Sequence, residues 1–454
     1  MRPFTIGQFA SACGGTLFGP ESSSEQRIQG VTVDSRQVSP GSLFIATIGE
    51  RSDGHDYIKS AFEKGAVCVV SQKELLDAPG PYLLVKDSLQ ALKEAAEAYR
   101  KTFDIPVIGV TGSVGKTSTK EMIASVLGQH FSVLKTPGNF NNEIGVPLTL
   151  FLIEEEHEAA VLEMGMNHFG EMHRLSKMVR PTHCVFTNIG VAHLEFLGSR
   201  DGILKAKAEM FDYARKDASV FLNGDDDKLI TLQDQRPACT FGLSPARDLW
   251  ADQIESLGLE GIRCRIHGKK GASMEAAIPL PGIHMVYNAL AGTSVGLSLG
   301  LTMEEIRTGI EKLKPIRGRS NILHTDRYTL LDDCYNSNPV SMCAMLDVLN
   351  DTPKRKVAIL GDMGELGQDS EKLHASVGEH LKGLQIDAVI TIGSLSLAIH
   401  EAAKKAAPDA LCLHYDDSDA FLREASRILM PGDAVLIKAS HYMGFERIVS
   451  ALSS

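Results

Sequence analysis

The chain has 454 residues, which exceeds what one hydrophobic core usually holds, so we expect roughly three domains of about 150 residues each. Its composition, 43% hydrophobic and 23% charged, is close to the soluble globular average and excludes collagen-like, disordered and coiled-coil classes. The formal net charge of -11, with no basic run, argues against a nucleic-acid partner and requires anionic ligands to bind locally, through backbone N–H groups, a few cations and metal ions.

The N-terminal segment is a poor secretory signal, because Gln8 interrupts its short apolar stretch. No stretch approaches the roughly 20 apolar residues that span a bilayer. The eight cysteines contain no CxxC pair, so reduced thiols are expected. We therefore predict a cytoplasmic protein without a membrane partner, and we expect a monomer.

The first predicted domain, residues 1–82, mixes short strand-like runs with turn signals such as SPGS and SDGH, which indicates a small α/β unit. The second domain, residues 83–314, starts with a helical stretch and then the apolar run from Pro106 to Val110. This run has the length of a buried parallel strand. A glycine loop and an amphipathic helix follow it, so strand, loop and helix come in order.

Further buried-strand candidates in this domain alternate with helical stretches and lie at Ala159 to Met164, Cys184 to Ile189 and Ala218 to Asn223. Such alternation predicts a doubly wound sheet. Alternating residues between Asp248 and Leu280 predict an antiparallel edge before a helix that begins near His284.

The third predicted domain covers residues 315–454, because the segment KPIRGRS interrupts the preceding helix. Its strand candidates again alternate with helices and lie at Tyr328 to Leu331, Val357 to Leu360, Ala388 to Ile392 and Ala434 to Lys438. This pattern predicts a second βαβ domain, so the fold class is α/β throughout.

The segment TGSVGKTS, Thr111 to Ser118, lies between a predicted strand and a predicted helix. Its glycines let backbone N–H groups turn inward, where they and the helix N-terminus hold phosphate oxygens. Lys116 would reach the terminal phosphates, and the Thr117 hydroxyl would bind Mg²⁺. The segment therefore predicts a nucleoside triphosphate site, although Val110 stands where the usual G-x-x-x-x-G-K spacing requires glycine.

Three charged or titratable residues follow the loop along the chain. Glu163 ends a predicted strand, where carboxylates of open α/β sheets face the ligand crevice, although a surface glutamate is the simpler alternative. His193 follows another strand and is either a metal ligand or a structural histidine. Lys207 lies in a predicted helix and, taken alone, is a solvated lysine.

Polar residues also gather in the segment DDCYNSNPVS, at a predicted strand end before a helix with Pro339 in its first turn. Asparagine at such a position caps helices. Capping explains one asparagine but not the whole cluster of Asp333, Tyr335, Asn336 and Asn338.

Taken together, the motifs resemble the Mur ligase family in order and spacing, almost from end to end. They are TGSVGKTS, KTPGNFNNEIGVPLT, EMGMN, TNIGVAHLEFLG, AKAEMF, NGDDD, DDCYNSNP and LGDMGELG. The family uses a shorter T-G-x-x-G-K-T loop, which explains Val110. The resemblance implies a small N-terminal domain for a UDP substrate, a central P-loop doubly wound ATPase domain and a C-terminal Rossmann-like domain.

The resemblance also implies a role for individual residues. Two Mg²⁺ ions would be held by Thr117, Glu163, His193 and Lys207, the last of these carbamylated, and the catalytic residues would be Lys116, Lys207 and His193. ATP would be bound by Gly112, Ser113, Val114, Gly115, Lys116, Thr117, Ser118, Asn223, Asn288, Arg319 and Asp333. The second substrate would be bound by Ser35, Arg36, Thr136, Asn139, Asn141 and Asn142.

The implied reaction is an ATP-dependent, ADP-forming ligation of D-alanyl-D-alanine to UDP-N-acetylmuramoyl-tripeptide through an acyl phosphate, within peptidoglycan synthesis. The pattern VDSRQVSPGSLFIATIGERSDGHDY and the motif LGDMGELG favour this reaction. The chain departs from the family pattern at Met285, where Asn is frequent, and at Ala439 and His441, where Gly and Arg are common.

Alternatives remain at this point. Within the enzyme class, the alternatives are another amino-acid-adding Mur ligase and a ligase like folylpolyglutamate synthase. Outside it, a P-loop switch or motor ATPase would hydrolyse ATP without an acceptor amine, and a non-catalytic scaffold would bind ATP without turnover.

Overall fold

The computed structural model describes residues 1–49, 52–191 and 194–453, apart from the side chain of Lys270. In these ranges the strands form three sheets with helices between them, which confirms the predicted α/β fold. No helix in the same ranges is long and apolar enough to cross a bilayer. The cysteines are free thiols.

The N-terminal sheet has the strand order β1-β5-β4-β3-β2. Its strands are β1 Thr16–Phe18, β2 Gly30–Thr32, β3 Ser42–Ile45, β4 Cys68–Ser71 and β5 Tyr82–Leu84, and its helices are α1 Ile6–Cys13 and α2 Ile58–Glu63. Strands β2 to β5 pair in parallel and β1 is antiparallel to β5. Helix α1 was not predicted, although Thr5 and Gln8 form a capping box at its start.

The central sheet follows helix α3 Ser88–Arg100 and has the order β14-β13-β12-β11-β10-β9-β6-β8-β7. Its strands are β6 Val107–Thr111, β7 Val133–Lys135, β8 Ala159–Glu163, β9 His183–Phe186, β10 Ser219–Asn223, β11 Cys239–Gly242, β12 Leu249–Ser256, β13 Ile262–His267 and β14 Ser273–Ile278. Its helices are α4 Lys116–Leu127, α5 Gly145–Leu150, α6 Glu171–Val179, α7 Leu194–Leu197, α8 Arg200–Ala208, α9 His284–Ser298 and α10 Met303–Glu311.

Burial explains why the strands of this sheet have different sequence patterns. Every residue of β6 and β8 is buried, as expected for parallel strands covered on both faces, and their apolar runs were predicted for that reason. Strands β12, β13 and β14 pair antiparallel, which confirms the predicted edge. In β14 exposed and buried residues alternate, because one face of this edge meets solvent.

The C-terminal sheet has the order β15-β16-β20-β17-β18-β19. Its strands are β15 Asn321–His324, β16 Thr329–Asp332, β17 Lys356–Gly361, β18 Ala388–Ile392, β19 Leu411–Tyr415 and β20 Ala434–Lys438. Its helices are α11 Pro339–Asn350, α12 Ser370–His380, α13 Leu397–Ala406, α14 Ser418–Ile428 and α15 Glu446–Leu452. The strands pair in parallel, except that β15 is antiparallel to β16.

Both faces of the C-terminal sheet are covered. In β17, Val357 and Ile359 belong to one hydrophobic cluster, whereas Ala358 and Leu360 belong to another. Alternate side chains of a strand point to opposite faces, so helices cover both sides, as in a doubly wound fold. At the start of α11 the Asn338 side chain accepts a hydrogen bond from Ser341 N, which confirms the predicted cap.

Contacts between residues divide the described chain into two compact units. The first unit is Met1–Thr111, His130–Val185 and Lys207–Ser219. The second unit is Gly112–Gln129, Phe186–Ala206 and Val220–Ser454. The site residues predicted from the sequence are divided between these units.

Candidate active site

In the second unit, the phosphate loop joins the end of β6 to the start of α4, and two of its positions require glycine. Gly112 has φ 153°, and a Cβ there would lie 1.9 Å from Thr187 Oγ1. Gly115 has φ 81° and is the N-cap residue of α4. Residues with a side chain rarely adopt these backbone conformations, so the backbone path of the loop depends on glycine at both positions.

Asn188, at the carboxyl end of β9, holds the first half of the loop. Its Oδ1 accepts a hydrogen bond from Val114 N at 2.9 Å, and its Nδ2 donates to Val114 O at 3.0 Å. Its backbone carbonyl accepts a hydrogen bond from Ser113 N. The N–H groups of Ser113 and Val114 are therefore directed at Asn188, which differs from the expectation that all loop N–H groups turn toward phosphate.

The second half of the loop is the first turn of α4. In the described part of the chain no side chain caps this helix at Gly115. The first N–H groups of an α-helix have no partner within the helix, and with the helix dipole they attract phosphate. Lys116 Nζ lies 2.9 Å from Gly112 O, over the loop, and Thr117 is buried. This geometry is compatible with a phosphate chain, and the roles of these residues toward ATP stay predictions.

Asn288 lies on α9 beside α4 of the same unit. Its Oδ1 accepts a hydrogen bond from Thr119 Oγ1 at 2.8 Å, and its amide lies 3.3 Å from the sulfur of buried Met285. Asn223, at the end of β10, donates to Thr187 O at 3.0 Å. Both asparagines thus hold neighbouring elements around the phosphate loop, and their roles toward adenine and ribose remain predictions.

Arg319 and Asp333 lie at the end of β16. Asp333 Oδ1 accepts a hydrogen bond from Ser320 N at 2.7 Å, and Oδ2 forms an ion pair with Lys438. The Arg319 guanidinium lies 4.2 Å from the centroid of the Tyr335 ring. The sequence motifs did not single out Lys438, whose side chain is 2% exposed and therefore needs its acidic partner.

His284 is the first residue of α9, and the charges of Asp333 and Lys438 affect its pKa. Burial lowers the pKa of the His284 imidazole, Asp333 opposes that shift, and Lys438 adds to it. Nδ1 of His284 is buried without a hydrogen-bond partner among the described residues. Burial therefore favours the neutral form of the His284 imidazole.

In the first unit, Glu163 ends β8 and is 1% exposed, so the alternative of a surface glutamate is wrong. Its Oε1 accepts a hydrogen bond from Asn141 Nδ2 at 2.7 Å. Its backbone N–H donates to Thr136 Oγ1 at 2.9 Å. A buried carboxylate at the end of a strand is suited to bind a hard cation such as Mg²⁺.

Lys207 is fully buried at the C-terminal end of α8, so the alternative of a solvated lysine is also wrong. His193 lies outside the described residues, and its predicted role stays a prediction. Within 1–49, 52–191 and 194–453, no three His, Cys, Asp or Glu side chains cluster as a metal site. Mg²⁺ commonly takes most of its ligands from water and nucleotide phosphates, and a bound ion here would rely on them.

The residues predicted to bind the second substrate lie in the first unit, and the structure gives several of them internal contacts. The exposed Arg36 guanidinium donates to Asp34, which lowers the pKa of that carboxyl to about 2. Lys64 Nζ donates to Ser35 O. Asn142 Oδ1 accepts a hydrogen bond from Gly145 N at 2.8 Å and so holds the start of α5. Thr136 and Asn141 contact Glu163, whereas Asn139 is exposed.

Models of one family match most of the chain. The Mur ligase family catalytic domain matches residues 27–100, the Mur ligase middle domain matches residues 110–296, and the Mur ligase glutamate ligase domain matches residues 318–441.

Individual relatives match over nearly their full lengths. The UDP-N-acetylmuramoyl-tripeptide–D-alanyl-D-alanine ligase of Bacillus subtilis (strain 168) is 37% identical, with 99% of this chain and 98% of the relative covered. The ligase of the same name from Escherichia coli (strain K12) is 35% identical, with 100% and 99% covered.

Solved structures agree with these matches. A crystal structure of MurF from Acinetobacter baumannii has a TM-score of 0.91 and 31% identity, with 100% of this chain and 99% of that chain covered. MurF ligase from Thermotoga maritima in complex with ADP has a TM-score of 0.81 and 28% identity, with 93% and 97% covered. The resemblance predicted from the sequence motifs is confirmed, and the chain belongs to the Mur ligase family.

Proposed function

We propose that the chain is an ATP-dependent ligase that joins D-alanyl-D-alanine to UDP-N-acetylmuramoyl-tripeptide and releases ADP and phosphate. The observation that carries the proposal is the glycine loop and the helix that follows it in the second unit, where Gly112 excludes any side chain and Lys116 lies over the loop. The full-length relatives that bear this ligase name support the choice of substrates. The ADP in the Thermotoga maritima structure supports the choice of nucleotide.

The proposed chemistry has two steps. An oxygen of the tripeptide's terminal carboxylate attacks the γ-phosphorus of ATP, the bond to the leaving ADP oxygen breaks, and an acyl phosphate forms. The neutral amine of D-alanyl-D-alanine then attacks the acyl carbon, loses a proton, and expels inorganic phosphate as the amide forms. The first step is needed because a free carboxylate has no good leaving group.

Positive charge near the phosphates is the main contribution expected of the second unit. Lys116 and Arg319 would neutralise charge that builds on the phosphoryl oxygens, and such groups act strongly when they are held in place beforehand. The N–H groups of Lys116, Thr117 and Ser118, in the first turn of α4, would bind the phosphates. Gly112, Ser113, Val114 and Gly115 keep their proposed places in the ATP site. Asn223, Asn288 and Asp333 keep their proposed places beside the nucleotide.

The metal ligands predicted from the sequence are kept as part of the proposal. Thr117, Glu163 and Lys207 would hold Mg²⁺, together with His193, and the bound ions would supply charge neutralisation at the phosphates. A lysine ammonium is costly in a buried position. Carbamylation of fully buried Lys207 would replace that cation with an anion able to ligate metal, and we propose that modification here.

We extend the proposal to the second substrate, the domain boundaries and the location of the protein. Ser35 and Arg36 would hold the UDP end of the substrate, and the segment from Thr136 to Asn142 would hold its central part. Domain boundaries of 1–82, 83–314 and 315–454 are proposed for the family's three-domain architecture. We propose a cytoplasmic monomer with small-molecule partners.

The proposal is tested by measuring ADP and the new peptide product while each substrate is omitted in turn. Wild-type protein should form ADP and product in equal amounts, and only when ATP, Mg²⁺, tripeptide and dipeptide are all present. Lys116→Ala should lower the rate roughly 100-fold or more. Lys101→Ala, on the exposed end of α3, is the matched control and should keep the wild-type rate.

Each alternative makes a different prediction in the same assay. A preference for another amino acid or for a folate acceptor would assign the chain to a different ligase of related fold. ADP release without any acceptor would indicate a switch or motor ATPase. ATP binding with no turnover under any substrate would indicate a scaffold. Any of these results would contradict the proposed reaction.

A further inference from the structure

The Arg319 side chain rests on an aromatic ring. Its guanidinium lies 4.2 Å from the centroid of the Tyr335 ring, and that ring also stacks on His441 with centroids 5.4 Å apart and planes 30° apart. Arg319 and Tyr335 are both partly buried. A cation at this distance is attracted by the ring's π electrons, and the contact restricts a side chain that otherwise has many rotamers.

The backbone on both sides of Arg319 is also fixed. Gly318 N donates to Asp332 Oδ2 at 2.9 Å, and Ser320 N donates to Asp333 Oδ1 at 2.7 Å. Tyr335 N donates to Gly318 O at 3.1 Å. The arginine therefore extends from a loop that is tied to the end of β16 by its two neighbours.

Lys438 completes this arrangement from the end of β20. Strands β16 and β20 pair in parallel, with Asp332 opposite Ile437, so Lys438 emerges beside Asp333. Its ammonium forms an ion pair with Asp333 and donates to Asn336 O at 3.1 Å. Asp333 is thereby fixed at both oxygens. Arg319 itself contacts the Tyr335 ring.

We propose that Tyr335 is a positioning residue that holds the Arg319 guanidinium ready for the γ-phosphate of ATP. The inference rests on the proposed function, since Arg319 is assigned to ATP there. It is the ring and not the hydroxyl of Tyr335 that makes the contact, so phenylalanine should replace tyrosine and an aliphatic side chain should not. The benefit should be confined to ligands that carry a γ-phosphate, because Arg319 would have no partner on ADP.

The test compares full-length wild type with Tyr335→Phe, Tyr335→Leu, Arg319→Ala and the double variant Tyr335→Leu/Arg319→Ala. Affinities for ADP and for the non-hydrolysable analogue AMP-PNP are measured by calorimetry, and kcat and the KM for ATP by steady-state kinetics. Tyr335→Leu should weaken AMP-PNP binding or lower kcat roughly 3- to 30-fold, the range of a partly to fully desolvated cation–π contact. The ADP affinity of Tyr335→Leu should stay within about 2-fold of wild type. Tyr335→Phe should keep most of the wild-type AMP-PNP affinity and kcat, because phenylalanine supplies the same ring.

The double variant separates positioning from a general structural role. If Tyr335 acts through Arg319, Tyr335→Leu adds nothing further once Arg319 is alanine. An equal loss in both backgrounds, or an equal loss of ADP and AMP-PNP affinity, would overturn the proposal. Equal defects in the Phe and Leu variants would overturn the role of the ring.

Failure of the proposed function gives a different result. A wild type that binds AMP-PNP but never forms a peptide bond would contradict the ligase assignment, while the binding comparison would still decide the role of Tyr335. A wild type that ligates normally and shows additive losses would contradict the role of Tyr335 alone.

Discussion

Replacing Gly112 with alanine adds one methyl group at the tightest point of the phosphate loop. The new Cβ would lie 1.9 Å from Thr187 Oγ1 and 3.0 Å from Thr187 Cβ, well inside the contact distance of about 3.5 Å between non-bonded atoms. Gly112 also has φ 153°, a conformation that alanine rarely adopts. The loop must therefore move, and Val114, which Thr187 and Asn188 hold, must move with it.

The cost follows from these two contributions. The unfavourable φ costs about 1 to 3 kcal/mol. The collision with Thr187 adds about 1 to 3 kcal/mol of overpacking. Gly112→Ala should therefore lower the free energy of unfolding by roughly 2 to 6 kcal/mol. Because small displacements at a reacting site are costly, ligation should fall roughly 100-fold.

The assay is denaturant unfolding together with calorimetric titration of ADP. Gly300→Ala is the matched control, because Gly300 has φ +86° and no heavy atom of the described residues within 4 Å of its added Cβ. It keeps the backbone cost and omits the collision, and it lies outside the loop. If Gly112→Ala is no less stable than Gly300→Ala and binds ADP as wild type does, the close approach of Thr187 does not constrain the loop and the reasoning is wrong.

Three further predictions concern other parts of the chain. Lys207→Ala should be inactive and partly restored by small carboxylates that stand in for the carbamate, and full activity without them would remove Lys207 from the site. Burial lowers the pKa of His183 to about 4, so folding favours the neutral imidazole. Protonation of the unfolded chain should therefore lower the free energy of unfolding by up to about 3 kcal/mol as the pH falls from about 6.5 to 4. In an acid titration, His183→Gln should lose less of this free energy than wild type, whereas the control His130→Gln, at an exposed position, should lose as much as wild type. Asn338→Ala should cost about 1 kcal/mol in denaturant unfolding through loss of the α11 cap, and an unchanged midpoint would contradict that role.

The interior strands and the loop could be predicted from the sequence because their signals are local. Strands β6, β17 and β20 are buried at every residue, and each contains a run of apolar residues, although β17 begins with Lys356 and β20 ends with Lys438. Strands β7, β15 and β19 lie at sheet edges and are partly exposed, and they were not predicted because their apolar runs are only two or three residues long. The glycine spacing of the loop likewise needs only adjacent residues.

Contacts that join distant segments could not be predicted in this way. Asn188 holds Val114 across 74 positions, and Lys438 pairs with Asp333 across 105 positions. Nothing in the residues next to Asn188 or Lys438 indicates these partners, since strand pairing in the fold brings them together. From local patterns alone, Glu163 could be a surface glutamate and Lys207 a solvated lysine. The burial of both side chains in the structure excludes these alternatives.

The central claim is that a carboxylate, and not water, receives the γ-phosphoryl group. Tripeptide labelled with ¹⁸O in its terminal carboxylate tests this directly, because the acyl phosphate retains one labelled oxygen between carbon and phosphorus. Mass spectrometry of the inorganic phosphate released during ligation should therefore find one ¹⁸O in each phosphate. Unlabelled phosphate formed together with ADP would show that water attacks ATP, and it would contradict the proposed reaction.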